Sequence, residues 1–149
     1  PGSVKVWSVL ATACDVDEAT YLKYIIARLV TYLQIPGYGD MLAEINGWSA
    51  DQLAAIRTSE AVTRIGGLVD SVARPAPAAA TDPPVPQAWR AAAVGNAQAC
   101  AERWVQEFEA GADGIIIHAS TPEEFAPVLD AYARIRPDAL FAERTNRPA

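Results

Sequence analysis

The sequence predicts an α/β fold with parallel strands that is incomplete on its own. Three observations carry this: a β-rich apolar run at "VKVWSVLATA", a second run of three isoleucines in "DGIIIHAS", and helical apolar periodicity in the intervening and following segments. An apolar run without alternation is what a strand covered on both faces requires, and such strands separated by helices belong to parallel sheets. Two strands of this kind are too few to make a sheet of their own.

The chain has 149 residues, of which 51% are hydrophobic, enough for one globular domain with a sizeable core. Eighteen acidic against twelve basic side chains give a net charge of -6, with no Lys/Arg stripe to neutralise phosphates. Nucleic acid and anionic membrane are therefore excluded as partners on charge grounds. No apolar stretch approaches the ~20 residues needed to span a bilayer, since even "YIIARLV" is interrupted by Arg28. Cys14 and Cys100 are far apart, without a CxxC pair and with a single histidine to join them, so no metal site is expected. Two cysteines in a chain with this much core point to a reduced compartment, and the cytoplasm is the expected location.

Residues 1–3, "PGS", read like the scar of a cleaved tag and are set aside. Residues 4–72 form a strand followed by a helical excursion. Val4, Val6, Trp7, Val9 and Leu10 make the strand, and the acidic "CDVDEAT" ends it, with Asp15 or Asp17 available as a helix cap. Leu22, Ile25, Ile26, Leu29 and Leu33 then repeat at helical spacing. "QIPGYGD" breaks that helix, because Pro36 cannot continue the ladder and Gly37 and Gly39 allow unusual backbone angles. Short helices follow: Met41, Leu42 and Ile45 share an apolar face, Ser49 stands three residues before Gln52 in a capping-box arrangement, and Val62, Ile65, Val69 and Val72 mark a further stretch.

Residues 73–88 change to a Pro/Ala-rich composition and predict an extended surface connection. Residues 89–137 form a helix-strand-helix closing unit. Asn96 is the expected cap of a helix that buries Ala101, Trp104, Val105 and Phe108, with Gly111 closing it. After the isoleucine strand, Thr121 stands three residues before Glu124 and opens a helix burying Phe125, Val128, Leu129 and Tyr132, its first turn blurred by Pro127. Residues 138–149 are a mixed-charge tail.

Two stretches carry a resemblance: "VKVWSVLATACDVDEATYLKYIIARLVTYLQIPGYGDMLAEINGW" and "AVGNAQACAERWVQEFEAGADGIIIHASTPEEFAPVLDAYARIRP". Together they resemble the C-terminal segment of luciferase-like monooxygenase family proteins, closest to an actinobacterial group of deazaflavin (F-420)-dependent oxidoreductases. "TYLQIPGYG" followed by "NGW" is the more specific marker, although this chain has Val30 before it where that group has Ala. "AGADG" before an apolar strand is common to many barrel enzymes. The family fold is a (β/α)8 TIM-type barrel, and the resemblance implies that "VKVWSVLAT" is its seventh strand and "DGIIIHAS" its eighth. It implies coenzyme F-420 as cofactor, FMN as second choice, and a small-molecule substrate. The earlier strands are absent, so the inner face and two sheet edges are expected to be uncovered, favouring a homo-oligomer or association with the missing N-terminal barrel portion.

In such barrels chemistry occurs at the C-terminal ends of the strands. Here these ends carry Thr12 on the first strand and His118 and Ser120 on the last. His118 is the chain's single histidine and faces two readings, a substrate-facing group or a rim histidine without a chemical task. Thr12, Ser120 and Thr121 could bond a cofactor phosphate or substrate hydroxyl, with helix capping the stronger reading for Thr121. Tyr38 and Trp48 are lid candidates, and a helix break with core anchoring explains them equally well. "AVGN" is read as an ordinary helix entrance. No residue is assigned as catalytic. The expected function is a portion of a luciferase-like flavin- or deazaflavin-dependent oxidoreductase transferring hydride to or from an organic substrate, inactive alone. The alternative is a non-catalytic helical interaction or oligomerisation domain.

Overall fold

The computed structural model describes residues 4–64 and 85–137, which fall into two units. One joins the residues up to Asp15 with those from Ala93 onward, and the other is Val16–Ala92. The first strand thus belongs with the C-terminal segment, not with the helices that follow it. The proposed tag scar, the helical face of Ile65, Val69 and Val72, residues 73–84 of the proline-rich connection and the tail lie outside the described residues.

The first unit is a three-stranded parallel sheet in a mixed α/β fold. β1 (Trp7–Cys14) is central, flanked by β2 (Ala93–Gly95) and β3 (Gly114–His118), in the order β2-β1-β3. β3 pairs along β1 from Trp7↔Gly114 to Ala11↔His118, while β2 pairs only with its last three residues, Thr12↔Ala93 to Cys14↔Gly95. The third strand corrects the sequence expectation of two, and "AVGN" is therefore more than a helix entrance. Three residues carry no periodicity of their own, so this strand is made by its pairing with a distant segment.

α6 (Ala97–Glu109) and α7 (Pro122–Ile135) cover one face of this sheet. Asn96 caps α6 by accepting from Ala99 N at 2.9 Å, and Gly111, at φ +104°, follows its end. Thr121 and Glu124 form a reciprocal capping box on α7, with Pro122 in its first turn. Leu10 and Cys14 of β1, with Ile115 and Ile117 of β3, pack against Cys100, Ala101 and Trp104 of α6 and Val128 and Ala131 of α7. Each fully buried large apolar side chain contributes about 1.5–3 kcal/mol, so this layer holds the unit together. Leu129, expected in the core, is exposed instead.

The other sheet face is different. By strand alternation it carries Trp7, Val9 and Ala11 of β1 with their register partners Gly114, Ile116 and His118 of β3. Trp7 is 60%, Val9 61% and Ile116 49% exposed, and Val94 of β2, in register with Ala13, is 43% exposed. The expectation that the isoleucine run is covered on both faces is corrected accordingly. All three isoleucines suit a doubly covered strand, but α6 and α7 pack on one side only.

The second unit is helical. α1 (Glu18–Tyr21), a π-helical segment (Leu22–Ala27) and α2 (Arg28–Gln34) run consecutively. Asp17 caps the start by accepting from Thr20 N at 2.8 Å, and Leu22, Ile25, Ile26, Val30 and Leu33 are buried. α3 (Tyr38–Asn46), α4 (Ala50–Thr58) and α5 (Glu60–Thr63) follow. Gly47 ends α3 at φ +65°, and Ser49 caps α4 through Gln52 N. The apolar face expected for α3 is not its buried one: Met41 and Ile45 are exposed, and Gly39 and Ala43 are buried instead. The last residues of the proline-rich stretch are packed, with Val85 and Trp89 buried and the Arg90 guanidinium donating to Val85 O at 2.8 Å.

Candidate functional site

All three strands end on a residue with positive φ: Asp15 after β1 (+50°), Gly95 of β2 (+118°) and Ala119 after β3 (+74°). For Asp15 and Ala119 that conformation costs about 1–2 kcal/mol each, because the Cβ crowds the following carbonyl. The turns are held by hydrogen bonds. Asp15 N donates to Gly95 O at 2.8 Å, and the Ser120 hydroxyl donates to Thr12 O across from β3 to β1. The structure thus brings the ends of β1 and β3 together as the sequence implied, with His118 and Ser120 at the carboxyl end of the sheet.

His118 pairs with Ala11 and lies on the open face, two residues beyond Ile116. Its ring is half-buried at a place where parallel α/β sheets receive ligands. Thr12 is positioned differently from the expectation of a rim contact. It points under the helices, is fully buried, and its hydroxyl accepts from the Trp104 indole N–H at 3.2 Å. This is the arrangement a buried hydroxyl and a buried indole both require. Thr12 therefore supports the sheet-helix layer, and only its backbone carbonyl, through Ser120, reaches the rim. Thr121 is the α7 cap.

The lid candidates belong to the second unit. Tyr38 opens α3, is exposed, and its ring lies 5.9 Å from that of Tyr32. Trp48 stacks on Trp89 with ring centroids 4.6 Å apart and planes 11° from parallel, which makes it a packing residue of its own unit. "PGYGD" has a full structural account. Gly37 adopts φ +78°, and a Cβ on Gly39 would stand 2.4 Å from Leu33 O. Asp40 accepts from Gly37 N at 2.8 Å and from Arg57 at 2.7 and 3.2 Å, while Arg57 Nε donates to Leu33 O at 2.8 Å. The Arg57 guanidinium first, then the Gly37 amide, holds the Asp40 carboxyl below the usual carboxylate range. Arg57 was not singled out from the sequence, where nothing links it to a loop that precedes it by a whole helix.

The charge at the strand ends limits what they can hold. Residues 6–22, 91–102 and 112–133, which contain all three strand-helix junctions, include no lysine or arginine. Asp15, Asp17, Glu18, Glu123 and Glu124 lie there instead. The open face beside His118 is apolar, and the junctions carry no lysine or arginine that could pair with a phosphate. Among the described residues no cluster of His, Cys, Asp and Glu could hold a metal ion, and no helix is long and apolar enough to cross a membrane. A shallow depression on α6 and α7, lined by Gln98, Glu102, Val105, Gln106, Glu109 and Ile135, draws no residue from the strands. The chain matches no protein-family model, and neither a curated protein nor a solved structure is found to match it.

Proposed function

We propose that this chain supplies one side of the cofactor pocket of a luciferase-like oxidoreductase that uses coenzyme F-420, with FMN the second choice. The observation that carries this reading is the open apolar sheet face ending at His118. When bound, the cofactor supplies the hydride chemistry with a small organic substrate. Val9 and Ile116 offer an apolar surface for a planar ring and exclude water from it. His118, beyond them, offers a ring nitrogen that can donate to or accept from a polar edge. Ser120 fixes the turn after His118 by its bond to Thr12 O. The phosphate is held by residues outside these junctions, and the chain by itself is not an active enzyme in this reading. The sheet would continue as a (β/α)8 barrel through the missing strands. In that closure β2 occupies only the carboxyl-terminal end of the β1 edge, leaving Trp7–Ala11 for a further strand.

A second reading, an interaction or oligomerisation domain without catalysis, is favoured by the same exposed residues, because a parallel sheet open on one side is a surface for association. A fluorescence titration of F-420, and separately of FMN, with the solution mass followed in parallel separates the two. Saturable binding of either cofactor supports the oxidoreductase reading. Self-association with no binding of either overturns it in favour of the second.

A further inference from the structure

The two cysteines, distant in sequence, meet in the first unit. Cys14 is the last residue of β1 and is in register with Gly95 of β2, and Cys100 lies in the first turns of α6. The Cys100 sulfur is 3.7 Å from Gly95 O and 3.9 Å from Ala13 O, the carbonyl bonded to Cys14 N. By strand alternation Cys14, like Leu10 and Thr12, points to the helix-covered face of the sheet, the side on which Cys100 packs. Both belong to one core cluster, in which Cys100 is fully buried and Cys14 is 8% exposed. Between them the chain makes its whole second-unit excursion, Val16–Ala92.

We propose that Cys14 and Cys100 are a latent disulfide pair that, on exposure to a peroxide, covalently joins the two chain segments that build the first unit. Cys14 is the reacting thiol, since it alone has any access to solvent. Its thiolate attacks one peroxide oxygen, the O–O bond breaks, and hydroxide leaves to take a proton as water. The resulting sulfenic acid on Cys14 is then attacked by the Cys100 sulfur. The S–S bond forms, the S–O bond breaks, and the Cys100 proton departs with the hydroxyl as a second water. Peroxide is reduced and the two thiols are oxidised, with no other reactant. The reaction is slow, because burial first, and then the neighbouring Asp15 carboxylate, raises the Cys14 thiol. Burial first, and then the charge that Cys14 carries as a thiolate, push Cys100 up to about 12. The pair therefore stays reduced until oxidant accumulates. This inference does not depend on the proposed function.

The test is peptide mapping of the full chain after incubation with hydrogen peroxide, without reductant. Reading at peptide level keeps oxygen uptake by the exposed Met41 apart. The expected product is a monomeric chain lighter by two hydrogen atoms at these sites, with the tryptic peptide Val6–Lys23 joined to Ala91–Arg103. Its melting temperature should be higher by roughly 10 °C, because the closed loop spans most of the chain. Cys100→Ser should leave a sulfenic acid on Cys14 that a dimedone-type reagent traps, and Cys14→Ser should leave Cys100 unoxidised. Should either variant fail to fold, the native chain decides alone. Cysteines that remain free thiols, that accumulate two or three oxygens without a cross-link, or that link only between chains would overturn the proposal.

Discussion

The two faces of the three-stranded sheet are made by the same strands, yet only one is finished. Leu10, Thr12 and Cys14 point under α6 and α7, into a layer where the Thr12 hydroxyl pairs with the Trp104 indole. Trp7, Val9 and Ile116, alternating with them, stay exposed. The difference teaches that composition alone does not say which side of a strand is core, since both faces are apolar. It also separates residues that hold the unit from residues free to meet a cofactor or another chain.

Substitutions should separate the faces by size of effect. Trp104→Ala removes the largest side chain of the covered layer and orphans the Thr12 hydroxyl. Chemical denaturation should show a loss of about 3–5 kcal/mol. Thr12→Val keeps the volume but strands the Trp104 indole N–H, and the same measurement should give a loss of about 1–2 kcal/mol. At the rim, Ala119→Gly relieves a left-handed backbone and should raise stability by up to about 1 kcal/mol, read as a higher denaturation midpoint. Ile116→Ser, on the open face, should change stability by no more than about 0.5 kcal/mol while reducing association of the chain in sedimentation. A loss at Ile116 as large as that at Trp104 would erase the distinction between the faces.

Much of this was legible in the sequence because its signals are local. Asn96, Ser49 and the Thr121/Glu124 pair mark helix starts through bonds three residues away, and the apolar spacing of Ala101 and Trp104 marks the covered face of α6. β2 was not legible, since Ala93–Gly95 become a strand only by pairing with Thr12–Cys14. Neither was the role of Gly39, whose lack of a side chain answers to Leu33 O and Arg57. For the candidate site, the placement of His118 and Ser120 at a strand end followed from the isoleucine run. The inward turn of Thr12 did not, because strand alternation needs a register that the sequence leaves open. Tyr38 and Trp48 were singled out for the loop they flank, but ring contacts with Tyr32 and Trp89 account for both within their own unit.

We propose that a cofactor meets this chain on the open face of the sheet and not on the helix-covered one. Radical footprinting of the free chain and of the chain saturated with F-420 tests it most directly. The account expects Trp7, Val9 and Ile116 to react strongly in the free chain and Trp104 to be protected, with cofactor then protecting Val9 and Ile116. A Trp104 as reactive as Trp7, or open-face labelling that saturating cofactor leaves unchanged, would contradict it.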